Sequence, residues 1–206
     1  MSLPSNVPRY DSVDLIDFDH LEARFVVSAT PPVAAAAWTK LAETERRLDH
    51  FDWALHVVRE PRRLERFIRD LATAFLMSFE ATLQILTTER LHGGLDRWIE
   101  GRAEYDVVCR GLRTLRNLEA HVQPVELTAS SLTDSSRFVA GIESGRRTFW
   151  LFPTLTPTDL DRLMPHGRKL RAEECDAWNA TVASHSARDL MTRGLRSLVS
   201  IVLDSP

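Results

Sequence analysis

The chain has 206 residues, is 44% hydrophobic and carries a formal net charge of -3, enough material for one sizeable core without forcing a division into two domains. No apolar run approaches the roughly 20 residues that a membrane-spanning helix needs, so no membrane partner is expected. The slightly acidic balance argues against a general polyanion binder, whose affinity comes from neutralising many phosphates at once, and any nucleic-acid contact has to be local.

Residues 1–19 combine prolines with Asp11, Asp14, Asp17 and Asp19 and lack the cationic start and apolar core of a secretory signal. They are expected to be a partly ordered lead-in to a single domain over residues 20–206 of a cytoplasmic protein. From Leu21, the alternation of Leu21, Ala23, Phe25 and Val27 with Glu22, Arg24 and Ser28 has the period of a half-buried strand. Thr30-Pro31-Pro32 then opens a helix, because proline's missing N–H has no partner to lose in the first turn. That helix is predicted to reach about Val58, with Trp38, Leu41, Leu48, Phe51, Leu55 and Val58 inward and Glu43, Glu45, Arg46, Arg47 and Asp49 outward. A second helix starts at Pro61, has Leu64, Ile68, Leu71, Phe75, Leu83 and Leu86 as its apolar stripe, and ends at Gly93-Gly94.

A third helix is predicted over roughly Leu95–Val122, broken near Gly101 and stopped ahead of Pro124, which disfavours helical geometry in the residue before it. The texture then changes: Arg137–Glu143, Ser144-Gly145 and Arg146–Phe152 read as a hairpin. Joined by the strand near Leu21, it makes a small three-stranded sheet. Thr158–Met164 reads as a short helix and Arg171–Leu203 as a long final one. The expected fold class is mainly α, a bundle of four long helices with a small β-hairpin elaboration at about 137–152. Cys109 and Cys175 fall on apolar stripes and read as buried thiols.

The chemistry concentrates on the third helix. At 100° per residue, Arg110, Arg113, Asn117 and His121 share one face, opposite Val108, Leu112 and Leu115. No acid stands between Asp106 and Glu119, so this face is expected to be a positive patch able to hold a phosphate. Within it, Arg116-Asn117-Leu118-Glu119-Ala120-His121 resembles the motif of HEPN-type ribonucleases: an Arg, four to six residues and a His near the end of the third helix, often with a polar residue after the Arg. The four-helix bundle over roughly residues 33–203 is similar to that family's fold, with the hairpin as an insertion.

The resemblance implies a metal-independent endoribonuclease without a cofactor, acting as a toxin or defence effector. His121 would be the acid/base, Arg116 would neutralise the phosphate, Asn117 would orient the imidazole, and Arg113 and Arg110 would bind the RNA substrate. It also implies a homodimer in which two motifs face each other, because one histidine cannot serve as both acid and base, and an antitoxin or defence-system protein as partner. Some family members carry a tyrosine two residues beyond the histidine, where a nucleotidyltransferase antitoxin modifies it; this chain has Gln123 there.

Two readings from other classes stand beside this one. A non-catalytic module of the same architecture would dimerise and bind RNA, a nucleotide or a protein. A metal-binding bundle would draw on His50, His121 and His185 from different helices, although His50 and His56 lie six apart rather than at the spacing of two ligands on one helix. The plainest account makes Arg110, Arg113 and Asn117 a solvated helix face and His121 a helix-end histidine near the last carbonyls. His185, which follows Trp178 and Val182 on an apolar stripe, reads as a satisfied buried or edge histidine. Trp38, Trp53, Trp98, Trp150 and Trp178 read as packing residues rather than base-stacking platforms, since no basic run surrounds them.

Overall fold

A computed structural model describes residues 32–90, 99, 101–131, 148–163 and 170–203. The strand expected near Leu21, the Gly93-Gly94 turn and the first hairpin strand, Arg137–Glu143, lie outside those residues.

Helix α1 (Pro32–Val57) buries Ala37, Leu41, Thr44, Leu48, Phe51 and Ala54, whose three- and four-residue steps hold them on one side. A three-residue connection leads to α2 (Pro61–Arg90). The Glu60 carboxylate accepts the N–H groups of Arg62 at 3.1 Å and Arg63 at 2.9 Å, so α2 is capped just where proline can begin it. Helix α2 lies along α1 and buries Ile68, Ala72, Phe75, Leu76, Phe79, Leu83 and Leu86. Between the two helices the Thr44 hydroxyl donates to Ser78 Oγ at 2.9 Å, which satisfies two buried hydroxyls at once.

The expected break near Gly101 is a full interruption. Residues 101–105 form turns, and α3 begins only at Val107 and ends at His121. Asp106 sets that start: its carboxylate accepts from Val108 N at 2.9 Å and Cys109 N at 3.1 Å, satisfying two N–H groups that a helix start leaves without partners. Strands β1 (Thr128–Ser131) and β2 (Thr148–Leu151) pair antiparallel, with Thr128 opposite Leu151 and Ser131 opposite Thr148. The strand expected within Arg146–Phe152 is therefore present, but its partner is a run of small polar residues that carries almost no strand signal.

Helix α4 (Pro157–Arg162) is held by a reciprocal cap between Thr156 and Asp159. The single final helix expected over Arg171–Leu203 is instead three pieces: a 3-10 turn (Ala172–Glu174), α5 (Cys175–Ser184) and α6 (Ala187–Leu203). His185 is extended, and Ser186 and Asp189 form a second reciprocal cap, with Ser186 N donating to Asp189 at 3.2 Å and Asp189 N to Ser186 Oγ at 3.1 Å.

The four long helices form the bundle: α1 packs on α2 and α6, and α3 on α2 and α6. Helix α5 closes over the remaining side of α3, where Trp178 is fully buried. The crossing depends on Gly111, because a Cβ there would sit 2.1 Å from the Trp178 ring. Gly111→Ala is expected to destabilise the fold by about 3 kcal/mol, read as a thermal midpoint roughly 5–10 °C lower; an unchanged midpoint would mean that α5 does not pack here in solution.

Both cysteines are buried thiols, and neither forms a disulfide. Burial pushes the Cys109 thiol up from its ordinary value to about 12. A folded-state value above the unfolded one stabilises fully below the unfolded pKa and ceases to do so as pH rises through the folded value. Stability is therefore expected to fall between about pH 9 and pH 12, by as much as about 4 kcal/mol from this group. Urea midpoints measured across that range should fall more steeply for the wild type than for Cys109→Ala.

Candidate functional site

Helix α3 is not the half-exposed helix that its charge pattern suggests. Buried positions run from Val108 and Cys109 through Leu112, Arg113, Thr114 and Leu115 to Asn117 and Leu118, on all sides of the axis, because α2, α5 and α6 surround it. The face carrying Arg110, Arg113 and Asn117 points into the protein rather than forming an open phosphate patch.

Arg113 shows this most clearly, with only 3% of its surface exposed. Its Nε and Nη2 donate to the two carboxylate oxygens of Glu80 on α2, at 2.6 and 2.9 Å, and Nη1 donates to the Tyr105 hydroxyl at 2.7 Å. Burial by itself lowers the pKa of the guanidinium, but the hydrogen bond and charge of Glu80, with Tyr105, outweigh it and hold the group above the usual arginine value. Fork-to-fork geometry of this kind is what lets a charge pair persist in an interior. The sequence expectation of a substrate-binding Arg113 is corrected: its charge ties α3 to α2.

Arg110 is also committed. Its Nη2 lies 2.6 Å from Glu174, its Nη1 donates to the Tyr105 carbonyl at 2.6 Å, and Glu174 in turn accepts Arg171 N at 2.9 Å. It fastens the 3-10 turn to α3 and is not an open contact for RNA. Glu80, Glu174 and Tyr105 went unrecognised as partners of these arginines. Glu80 had a legible signal, being the one acid in the apolar stretch from Leu71 to Leu86.

What remains of the expected site is its C-terminal end. Asn117 is 4% exposed, and its carbonyl oxygen accepts from Arg116 Nη1 at 3.1 Å. Arg116 is half-buried; its Nε is buried without a hydrogen-bond partner, and its Nη2 makes no hydrogen bond among the described residues. His121 is exposed on the last turn, which closes when Val122 N and Gln123 N both donate to the Leu118 carbonyl at 2.9 Å. Four residues separate Arg116 from His121, a step of five positions and a rotation of about 140° around the helix, so the two diverge within one chain.

Beside this end lies a groove of about 300 Å³ between Leu118, residues 123–126 and residues 153–155. Around it, Glu119 accepts the N–H of Val125, and Arg162 donates to Gln123 at 3.2 Å. The groove is fixed at its far side by Asn179, whose side chain accepts Leu155 N at 2.8 Å and donates to Leu155 O at 3.0 Å.

The other candidates separate. His185 is exposed at the α5–α6 break, and its Nδ1 lies 3.1 Å from Thr181 O. Among the described residues no three of His, Cys, Asp and Glu gather as a group able to hold a metal. Trp178 and Trp150 are core residues, Trp38 and Trp53 pack partly buried against the core, and Trp98 lies outside the described residues. No family model, no curated protein and no solved structure matches the chain.

Proposed function

We propose that the chain is a metal-independent endoribonuclease of HEPN type, acting as a homodimer, with His121 and Arg116 as its catalytic residues. One observation carries the reading: the motif's histidine is exposed at the end of α3, while its arginine is anchored through Asn117 with part of its guanidinium uncommitted. An incomplete set of hydrogen bonds on a half-buried cation suits a group that gains its partner in a complex.

In this mechanism, His121 of one protomer removes the proton from a ribose 2′-OH, which attacks the adjacent phosphorus. The partner subunit's His121 protonates the departing 5′-oxygen. Arg116 stabilises the negative charge on the five-coordinate phosphate, and Asn117 positions Arg116. Two-fold symmetry supplies the second histidine and brings together groups that diverge within one chain. The products are a 2′,3′-cyclic phosphate and a 5′-hydroxyl. Such an activity suits a toxin or defence effector of the cytoplasm held in check by an antitoxin or defence-system partner.

The test is end-group analysis by mass spectrometry of RNA incubated in EDTA with wild-type and His121→Ala protein. Cyclic phosphate ends made by the wild type alone are the expected result, and intact RNA with the wild type across varied substrates defeats it. A second reading is favoured by the pairing of Arg110 and Arg113 with carboxylates: a non-catalytic module that retains RNA without cutting it.

A further inference from the structure

We propose that the corner between α1 and α2 is a docking surface for single-stranded RNA, remote in sequence from the α3 motif. Within eleven residues it presents Arg59, Arg62, Arg63, Arg66 and Arg69, all exposed. Three exposed acids stand among or beside them, Glu60, Glu65 and Asp70, which leaves the five arginines an excess of two positive charges. Glu60 is turned to the backbone of α2 as its cap, and Arg69 lies 3.9 Å from Asp70, at the limit of an ion pair. The guanidinium groups of Arg59, Arg62 and Arg66 have no ion pair or hydrogen bond among the described residues. Elsewhere arginines are held tightly: Arg113 to Glu80 at 2.6 Å, Arg110 to Glu174 at 2.6 Å and Arg188 to Asp52 at 2.8 Å.

A second observation falls at the same corner. The exposed large hydrophobic residues of the described chain are Val57 and Phe67, at 43% and 38%; Val57 precedes this arginine run at the end of α1, and Phe67 lies within it on α2. The Arg63 guanidinium lies over the Phe67 ring, 5.7 Å from its centre, and part of the side chain remains exposed. Arg62, Arg66 and Arg69 follow one side of the helix over about 10 Å. Phe67 lies about 140° round the helix from Arg62, next to Arg63, so a strand that wraps this part of α2 meets both components of single-strand recognition: phosphates meet the arginines, and an unstacked base meets the ring. A duplex keeps its bases stacked and could use only the cations. A membrane surface needs a broad apolar helix face, and the apolar face of α2 is spent in the core.

The inference rests on RNA being the ligand of the proposed function, but not on cleavage. It is tested by fluorescence anisotropy of a labelled single-stranded RNA of about 20 nucleotides with the full chain bearing His121→Ala, so that nothing is cut. Into that background go Arg59→Gln/Arg62→Gln/Arg66→Gln/Arg69→Gln, Phe67→Ala, and the control Arg46→Gln/Arg47→Gln from the exposed face of α1. The fourfold variant is expected to raise Kd at least about tenfold near physiological salt and to lower the slope of log affinity against log salt by about 2 to 3. Phe67→Ala should weaken binding about fivefold or more, and the control by less than about twofold. Thermal midpoints within a few degrees of the parent establish that the variants are folded. Affinity unchanged by the fourfold variant overturns the proposal, as does a parent that binds no RNA. Cleavage with unchanged binding in the variants sinks this surface alone, whereas lost binding without any cleavage in the wild type sinks the nuclease reading alone.

Discussion

Arg113→Ala is expected to destabilise the fold by about 3–5 kcal/mol, because it leaves the Glu80 carboxylate in the interior without its bidentate partner. Glu80 on α2 is 4% exposed and holds Arg113 of α3 at 2.6 and 2.9 Å. For a chain of this length the thermal midpoint should fall by roughly 10 °C or more. Removing both charges is expected to be far milder, since an apolar pair of similar volume avoids the desolvation of two ions. The variant Glu80→Met/Arg113→Met, with Tyr105→Phe to remove the hydroxyl that also bonds Arg113, should recover most of the loss. It also separates structure from chemistry. If Arg113 bound RNA, as its place on the helical wheel suggests, the restabilised variant would stay inactive; the buried geometry predicts that it cleaves RNA like the wild type. An Arg113→Ala midpoint within a degree or two of wild type would mean that the pair does not form in solution.

The larger functional effect is expected of His121→Ala, which should slow RNA cleavage by about 10² to 10⁴, the range that positioned proton transfer contributes. Its exposed site at the end of α3 predicts a stability loss of no more than about 1 kcal/mol, and a thermal midpoint within a few degrees of wild type separates lost activity from unfolding. Two histidines are required for each cut, and mixing chains therefore reads out the composite site. With equal amounts of wild type and His121→Ala and free exchange, about a quarter of dimers keep two intact motifs, and activity per wild-type chain should fall by about half. Activity that simply follows the amount of wild-type chain would end the composite-site mechanism. Arg116→Lys should lose activity as well, because an ammonium keeps the charge but not the two-pronged geometry that a phosphate accepts.

Much of the architecture was legible in the sequence where its causes are local. Pro32 and Pro61 mark helix starts because of what proline lacks, whereas the Thr156–Asp159 cap, contained in four residues, went unread and α4 was expected to start a residue late. Asp106 and the Ser186–Asp189 pair are equally local. They were passed over because the apolar period runs on across both and suggests longer helices than exist. Strand β1 was not legible at all: Thr128–Ser131 has no alternation, and pairing with residues 148–151 defines it.

The order of side chains around α3 follows from its sequence alone, since 3.6 residues per turn fixes which of them share a face. So does the place of Arg116, Asn117 and His121 at the end of that helix. What a face meets is not a local property. Glu80 reaches Arg113 from 33 positions away and Glu174 reaches Arg110 from 64; only the packing of α2 and the 3-10 turn against α3 makes them partners. That packing turned an expected phosphate patch into internal ion pairs and left charge exposed at the α1–α2 corner instead. Helical periodicity acts within a turn or two of chain, whereas a buried charge must find its counterion wherever the tertiary fold supplies one.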